Sequence, residues 1–327
     1  KFIVFIFASI QTILMTITQL KYVLAVAEYK NFTLAADKCF VTQPTLSMQI
    51  QKIEDELSIQ IFDRTKKPIQ LTDIGQKIVL QAKSIVNEAD RIQDIVEQQK
   101  GFIGGEFRLG IIPTIMPTLL PMFLNNFIKK YPKVKLIIEE LNTAEIITKL
   151  NNGHLDAAIA ATPLQEEKIK EIVLYYEPFM AYIPEGHQNF QKKEIEVADL
   201  NLDEILLLQD GHCFRDGILN LCKNNIRNEI NHFQIESGSF ETLIKLANEG
   251  LGTTLLPYLH TLDLKDSDKN KLRHFKEPKP AREVSLIFPK SELKIHIIDA
   301  LRNTISGVIK GAIAFQNVEI ISPLHKK

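Results

Sequence analysis

Along the first hundred residues, apolar positions recur at helical spacing. From Thr18 to Tyr29 they fall at Leu20, Val23, Leu24, Val26 and Ala27, one face of an amphipathic helix. Asn31-Phe32-Thr33 interrupts the pattern, and Thr33 is placed to cap a second, short helix, Leu34 to Cys39. Phe40-Val41 is the next break. Thr42 then caps a third helix with Pro44 in its first turn, where proline costs no hydrogen bond. In that helix Leu46, Ile50, Ile53 and Leu57 give one buried face, and the other face carries Pro44, Thr45, Met48, Gln51 and Lys52, with Gln43, Ser47 and Gln49 at its edges. Phe62 to Leu71 reads as a two-stranded wing with Arg64, Lys66 and Lys67 at its tip. Thr72 caps a long helix in which Ile78, Ala82, Ile85, Ala89, Ile92 and Val96 form a heptad seam. Gly101, Gly104 and Gly105 mark a hinge.

From Glu106 the pattern changes to alternating strands and helices. Strands are predicted at Phe107–Ile112, Val134–Leu141, Leu155–Ala161, Phe179–Ile183, Ile205–Gln209, Phe233–Glu236, Thr253–Leu256 and Glu283–Phe288. Helices are predicted at Pro117–Tyr131, Ala144–Leu150, Phe214–Asn224, Glu241–Glu249 and Leu293–Lys310. Such alternation predicts an α/β region with a largely parallel sheet. Ligands of these sheets bind beyond the carboxyl ends of strands or in a cleft between lobes. Thr114, Thr143, His212 and Cys213 follow such ends.

At 327 residues the chain is long enough for two or three domains. A net charge of −1 does not announce a nucleic-acid partner, and residues 15–75 hold seven basic and seven acidic side chains. Three cysteines, an odd number, fit a reducing compartment better than a disulfide scaffold. The apolar run Phe2–Ile10 after Lys1 looks like a signal-peptide core, but it is too short to span a membrane and no Ala-x-Ala-like cleavage site follows. Met15 opens an ordinary cytosolic start, so residues 1–14 are expected to be translated upstream sequence; were they real, they would be an anchor or signal.

The chemistry concentrates in Asp210-Gly211-His212-Cys213-Phe214-Arg215-Asp216-Gly217, with Cys222 beyond. Cys213 is placed where a buried strand hands over to a helix N-terminus, which favours negative charge. With His212 and Arg215 beside it, a lowered thiol pKa is expected. A helical segment between Cys213 and Cys222 would rise about 13 Å. A disulfide needs Cα atoms within about 7 Å, so pairing would require local refolding. Two ordinary buried cysteines remain the alternative. The polar face of the third helix has the amides and hydroxyls that read base edges in a major groove, though a generic three-helix domain shows the same periodicity. The seam likewise fits either a dimer or a helix lying on its own domain. No phosphate-binding loop or metal-ligand spacing occurs, Gly250-x-Gly252 reads as a plain turn, and Ser237-Gly238-Ser239 has no evident base partner.

The run Ala35-Ala36, Val41-Thr42-Gln43-Pro44-Thr45-Leu46-Ser47, Ile50, Ile53-Glu54-Asp55-Glu56-Leu57, Phe62-Asp63-Arg64, Leu71-Thr72 and Gly75 resembles the DNA-binding end of LysR-type transcriptional regulators. The resemblance implies a winged helix-turn-helix at 15–72, with its helix-turn-helix near 32–51. It also implies a dimerising linker helix at 73–100 and a two-lobed α/β effector domain at 105–320, similar to type 2 periplasmic binding proteins. Gly211 to Asp216 with Cys222, Ile112-Pro113-Thr114, Asn142-Thr143 and Ser239 to Leu243 look like the peroxide-sensing members. In those members the cysteine matching Cys213 is oxidised first and the one matching Cys222 resolves it into a disulfide. Peroxide is held by groups matching Thr114, Thr143, His212 and Asp216, assisted by an arginine that Arg282 matches. Phe214 and Gly217 depart from that pattern, where leucine and a larger polar residue are expected, and a glycine would loosen the helix start.

DNA contacts are then expected from Thr33, Gln43, Pro44, Thr45, Ser47, Gln51, Lys52, Arg64 and Lys66. The implied protein is cytoplasmic, needs no cofactor or metal, has no membrane partner, and controls antioxidant genes as a homodimer or homotetramer on double-stranded DNA. Its further partners are hydrogen peroxide, a thiol reductant of the glutaredoxin or thioredoxin type, and RNA polymerase. The alternatives are a LysR-type regulator answering a metabolite, a secreted solute-binding protein, and a thiol peroxidase.

Overall fold

A computed structural model describes residues 15–99, 103–222, 237–313 and 318–323. The expected strand at Phe233–Glu236, the glycine at 101 and residues 1–14 lie outside the described residues. The chain divides near residue 97 into two compact units.

In the first unit, α1 (Ile17–Tyr29) is closed by a capping box between Thr16 and Gln19. Helix α2 (Phe32–Lys38) is capped by Asn31, whose Oδ1 accepts from the backbone of Thr33 and Leu34, so Thr33 is not the cap. Asparagine caps well because its short amide reaches both free N–H groups. Helix α3 (Gln43–Leu57) starts at Thr42 as expected. Its Leu46, Ile50 and Ile53 are fully buried, each stabilising by about 1.5–3 kcal/mol. The wing is β1 (Phe62–Asp63) paired antiparallel with β2 (Gln70–Leu71). Helix α4 (Asp73–Gln99) follows, and the Thr72 hydroxyl accepts from the Gly75 amide. A Cβ at Gly75 would lie 2.1 Å from the Ile61 carbonyl oxygen, so only glycine lets the helix pass the wing. Ala82 and Val86 are buried in this unit's core, with Ile78 and Ile85 against it. The first half of the heptad seam therefore lies on its own domain, whereas Ile92 is 64% exposed.

The second unit begins with β3 (Gly105–Ile111), α5 (Met116–Lys130), β4 (Val134–Glu140), α6 (Thr143–Asn151) and β5 (Ala157–Thr162). Then come β6 (Ile169–Tyr182), β7 (Glu194–Ile195), α7 (Cys213–Leu221), α8 (Phe240–Asn248) and β8 (Thr254–Pro257). It closes with α9 (Tyr258–Leu262), α10 (Asp266–Lys269), β9 (Leu272–Phe275), β10 (Lys279–Pro289), α11 (Ile295–Ala312) and β11 (Val318–Ile320). The sheet order is β4-β3-β5-β10-β6-β9-β7.

The expectation of a largely parallel sheet is corrected. Strands β3, β4 and β5 run parallel, but β10 lies antiparallel to both β5 and β6, and β6 is antiparallel to β8 and β9. Two long strands, β6 and β10, run from one lobe into the other. The first lobe's core is built on Phe107, Leu109, Phe123, Ile159, Leu286 and Leu301, and the second's on Phe179, Tyr182, Phe214, Leu243 and Phe275. Ile205–Leu208 is buried and extended but is no strand; Ile205 makes a single parallel bridge to Thr253. Its apolar run was a burial signal rather than a pairing signal. Strand β11 pairs parallel with β10, and the Asn220 side chain donates to the Ser322 carbonyl. No helix among the described residues is long and apolar enough to cross a membrane.

Candidate functional site

Gly211, at φ +88°, turns the chain into α7, in the left-handed region that favours glycine. His212 is the N-cap residue and Cys213 opens the helix, one residue earlier than the periodicity suggests. The thiol sits at the positive end of the helix dipole. It packs into the first lobe's core, whereas Phe214 and Ile218 of the same helix pack into the second's. The site is thus assembled from both lobes.

Burial pushes the Cys213 thiol up, against the Arg282 charge and the Thr143 hydroxyl, which both favour thiolate; Asp216 adds to the rise. The expected lowering from His212 and Arg215 is corrected. Burial holds His212 below its ordinary value, only partly opposed by Glu140, so at neutral pH the imidazole carries no charge. Arg215 is committed to the turn, donating to the Leu208 carbonyl at 3.0 Å and pairing with Asp210 at 2.8 Å. The cation that serves the thiol is Arg282, brought from β10.

Arg282 is buried and makes four hydrogen bonds. Its Nη1 donates to Thr114 Oγ1 at 2.8 Å and its Nη2 to the Thr114 carbonyl at 3.1 Å. Nε and Nη2 both donate to Glu177 Oε2, at 2.9 and 2.7 Å. The guanidinium lies over the Phe214 ring, 5.2 Å from its centroid, a cation–π contact. Thr143 opens α6 after the Asn142 cap. Its hydroxyl acts on the Cys213 sulfur, yet the geometry falls short of a hydrogen bond and leaves that buried oxygen without one. An unsatisfied buried hydroxyl is costly, and this one acts on the Cys213 sulfur.

The structure therefore brings Cys213, Thr143, Arg282, Thr114 and Asp216 together, with His212 adjacent. Cys222 is not with them. It is the C-cap residue of α7, buried in the second lobe's core, where burial pushes its thiol up to about 11. Both cysteines are free, and the intact helix separates them by the rise of about 13 Å that nine residues give. Gly217 lies inside α7 rather than at its start, and a Cβ there would meet the Phe179 ring at 3.5 Å. Sequence reasoning missed Glu177 and Tyr175. Their signal was a carboxylate and three tyrosines inside the apolar run Ile172–Tyr182. Phe214, noted only as a departure, carries the ring beneath Arg282. Among the described residues no cluster of His, Cys, Asp or Glu is arranged to hold a metal ion.

In the first unit, Thr33, Gln43, Pro44, Gln51 and Lys52 are exposed, and Thr45 and Ser47 half-buried. The Thr45 hydroxyl shares a hydrogen bond with Thr42, Gln51 donates to Asp55, and Lys52 approaches Glu56 at 4.0 Å. Lys66 is exposed at the wing tip. Arg64 is different. Its Nη2 donates to Glu54 Oε2 at 2.7 Å and its guanidinium lies over Phe32, so it ties the wing to α3.

The helix-turn-helix followed by a two-lobed sensor domain defines a ligand- or signal-responsive transcription factor. Residues 17–76 match the description "Bacterial regulatory helix-turn-helix protein, lysR family", and residues 100–308 match "LysR substrate binding domain". The chain belongs to the LysR family of bacterial transcriptional regulators. It is 33% identical over 297 residues to the DNA-binding transcriptional dual regulator OxyR of Escherichia coli, covering 90% of this chain and 97% of that one. A full-length OxyR variant from Pseudomonas aeruginosa superposes with a TM-score of 0.71 at 34% identity, covering 89% of this chain and 98% of that one. An H2O2-bound OxyR mutant from Corynebacterium glutamicum superposes with a TM-score of 0.61 at 27% identity, covering 93% and 98%.

Proposed function

We propose that this chain is a hydrogen-peroxide-responsive regulator of transcription. The observation that carries the reading is the buried Cys213 thiol, on which the Arg282 guanidinium and the unsatisfied Thr143 hydroxyl both act, in a family whose relatives include a protein described as H2O2-bound. Burial keeps the resting thiol protonated, so Arg282 and the helix end stabilise the thiolate as it forms. The sulfur attacks one peroxide oxygen. A sulfur–oxygen bond forms, the oxygen–oxygen bond breaks, and the departing hydroxide takes the thiol proton to become water. Thr143, His212 and Thr114 are the donors for the charge developing on that oxygen. The Cys222 thiol then displaces hydroxide from the sulfenic acid, giving a disulfide and a second water. Peroxide has gained two electrons and the cysteine pair has lost them.

The disulfide requires α7 to unwind. The rebuilt segment shifts the packing between subunits and so alters DNA contacts made by residues 15–72, with 73–100 as the linker and 105–320 as the sensor. One turnover per reduction makes the chain a switch rather than an enzyme. A thiol reductant of the glutaredoxin or thioredoxin type resets it. The chain acts in the cytoplasm as a homodimer or homotetramer on double-stranded DNA, with RNA polymerase as the downstream partner. The test is intact-protein mass before and after one equivalent of peroxide. The wild type is expected to lose two hydrogens, Cys222→Ser to gain one oxygen that a dimedone-type reagent traps, and Cys213→Ser to keep its mass and its reduced-state DNA binding. A Cys213→Ser protein that still consumes the equivalent would overturn the reading. Sustained turnover with reductant would make the chain a peroxidase.

A further inference from the structure

Glu177 is 1% exposed, in the middle of β6, directly across the ladder from Arg282 in β10. Its Oε2 takes two N–H groups of the guanidinium, and its Oε1 accepts the Leu259 amide at the start of α9 at 2.8 Å. The carboxylate is pinned on three sides. The Arg282 charge acts on Glu177, on Tyr175 and on Cys213. Around this cluster lie Tyr175 of β6, whose buried hydroxyl has no hydrogen-bond partner, Asp216 of α7, His212 before it, and His260 of α9. Burial and the Glu177 charge hold Tyr175 well above its ordinary value, so it stays neutral. Burial likewise keeps His260 below its own. The acidic groups that bear on the Arg282 charge are Glu177, Tyr175 and Cys213, whereas Asp216 acts on the sulfur. With Tyr175 neutral, the anions left to that buried cation are the Glu177 carboxylate and the Cys213 sulfur once deprotonated.

We propose that Glu177 is a positioning residue that sets the reactivity of Cys213 by competing with its thiolate for the Arg282 guanidinium. The inference rests on Cys213 being the reacting thiol. A buried guanidinium needs a counter-charge. With Glu177 in place that need is met, and the sulfur gains only what remains of the field. It also keeps the fork of Arg282 on Thr114 rather than on the sulfur. Removing the carboxylate leaves the cation to recruit the next anion available, which is the Cys213 thiolate. Glu177 therefore restrains the thiol, and Arg282 alone would overactivate it.

The experiment is a pH titration of thiolate ultraviolet absorbance in the full-length reduced protein. Cys39→Ser and Cys222→Ser in the background leave Cys213 as the one thiol. Glu177→Gln is expected to move the Cys213 titration to lower pH, raising the thiolate fraction at neutral pH about tenfold, the effect of unmasking the Arg282 charge that already acts on the sulfur. Glu177→Asp, which keeps the charge but withdraws it by one methylene, is expected to titrate between Glu177→Gln and wild type. It decides the question alone if Glu177→Gln does not fold, and an Asp variant titrating at or above wild type overturns the proposal. A merely structural role would lower the melting temperature of both variants with no movement of the titration, which also overturns it. The peroxide reaction is timed separately. A shifted titration without any peroxide reaction would leave the role of Glu177 standing and remove the peroxide reading.

Discussion

Glu54 offers a direct test of how the wing is held. Its carboxylate is 4% exposed. Oε1 accepts the Ile61 amide at 2.8 Å and the Phe62 amide at 3.2 Å, and Oε2 accepts from Arg64 at 2.7 Å. Glu54→Ala strands two buried backbone donors, each costing about 1–3 kcal/mol. The Arg64 pair adds little, because the Arg64 side chain is 39% exposed and solvent screens it. The expected loss is about 3–5 kcal/mol. Glu54→Gln keeps an oxygen for both amides and gives up only the pair with Arg64, so it should lose about 1 kcal/mol. Denaturant unfolding followed by a probe in the first unit measures both, and amide exchange reads the mechanism. Ile61 and Phe62 should exchange faster in Glu54→Ala than in Glu54→Gln. If Glu54→Ala unfolds within about 0.5 kcal/mol of wild type, or if those two amides keep their protection, the wing is not held this way.

Three more outcomes are expected. His212, His260 and His274 are all held below the ordinary histidine value by burial. The unfolded chain therefore binds more protons just below about pH 6.5, stability should fall as pH drops through that window, and a melting temperature equal at about pH 7.5 and about pH 5.5 would contradict it. Thr45→Ala or Gln51→Ala should cost about 1–3 kcal/mol at the cognate operator and relax its preference, whereas Lys66→Ala should weaken all sequences alike and flatten the salt dependence; equal binding by both helix variants and wild type would remove α3 as the reader. Ile92→Asp should lower the sedimenting mass without melting the first unit, whereas Ile85→Asp, set against the domain core, should destabilise it; an Ile92→Asp protein that assembles as wild type would exclude that part of the seam.

Where one repeat governed an element, the sequence was enough. Leu46, Ile50 and Ile53 mark the buried face of α3, and all three are fully buried. Alternating strands and helices located most of the second unit. What failed was whatever depended on partners distant in the chain. The sheet's mixed direction follows from β10 inserting between β5 and β6, which no local pattern records. The thiol environment was misjudged because neighbours in sequence were weighed and burial was not. His212 and Arg215 adjoin Cys213, but the cation arrives from Arg282 and is held by Glu177. Asn31 took the capping role expected of Thr33 because either residue satisfies the same local rule.

Strand β10 also orders events in time. It lies between two strands made before it, and it carries Arg282, which leaves the ribosome about 70 residues after Cys213. At about 5–20 residues per second, a nascent chain holds its thiol for roughly 4–14 s before the guanidinium exists. During that interval neither the burial that raises the thiol nor the cation that favours its thiolate is in place. A cell making this protein under oxidant stress thus exposes an immature thiol with ordinary cysteine reactivity, and the finished response begins only when the last third of the sheet has closed over it.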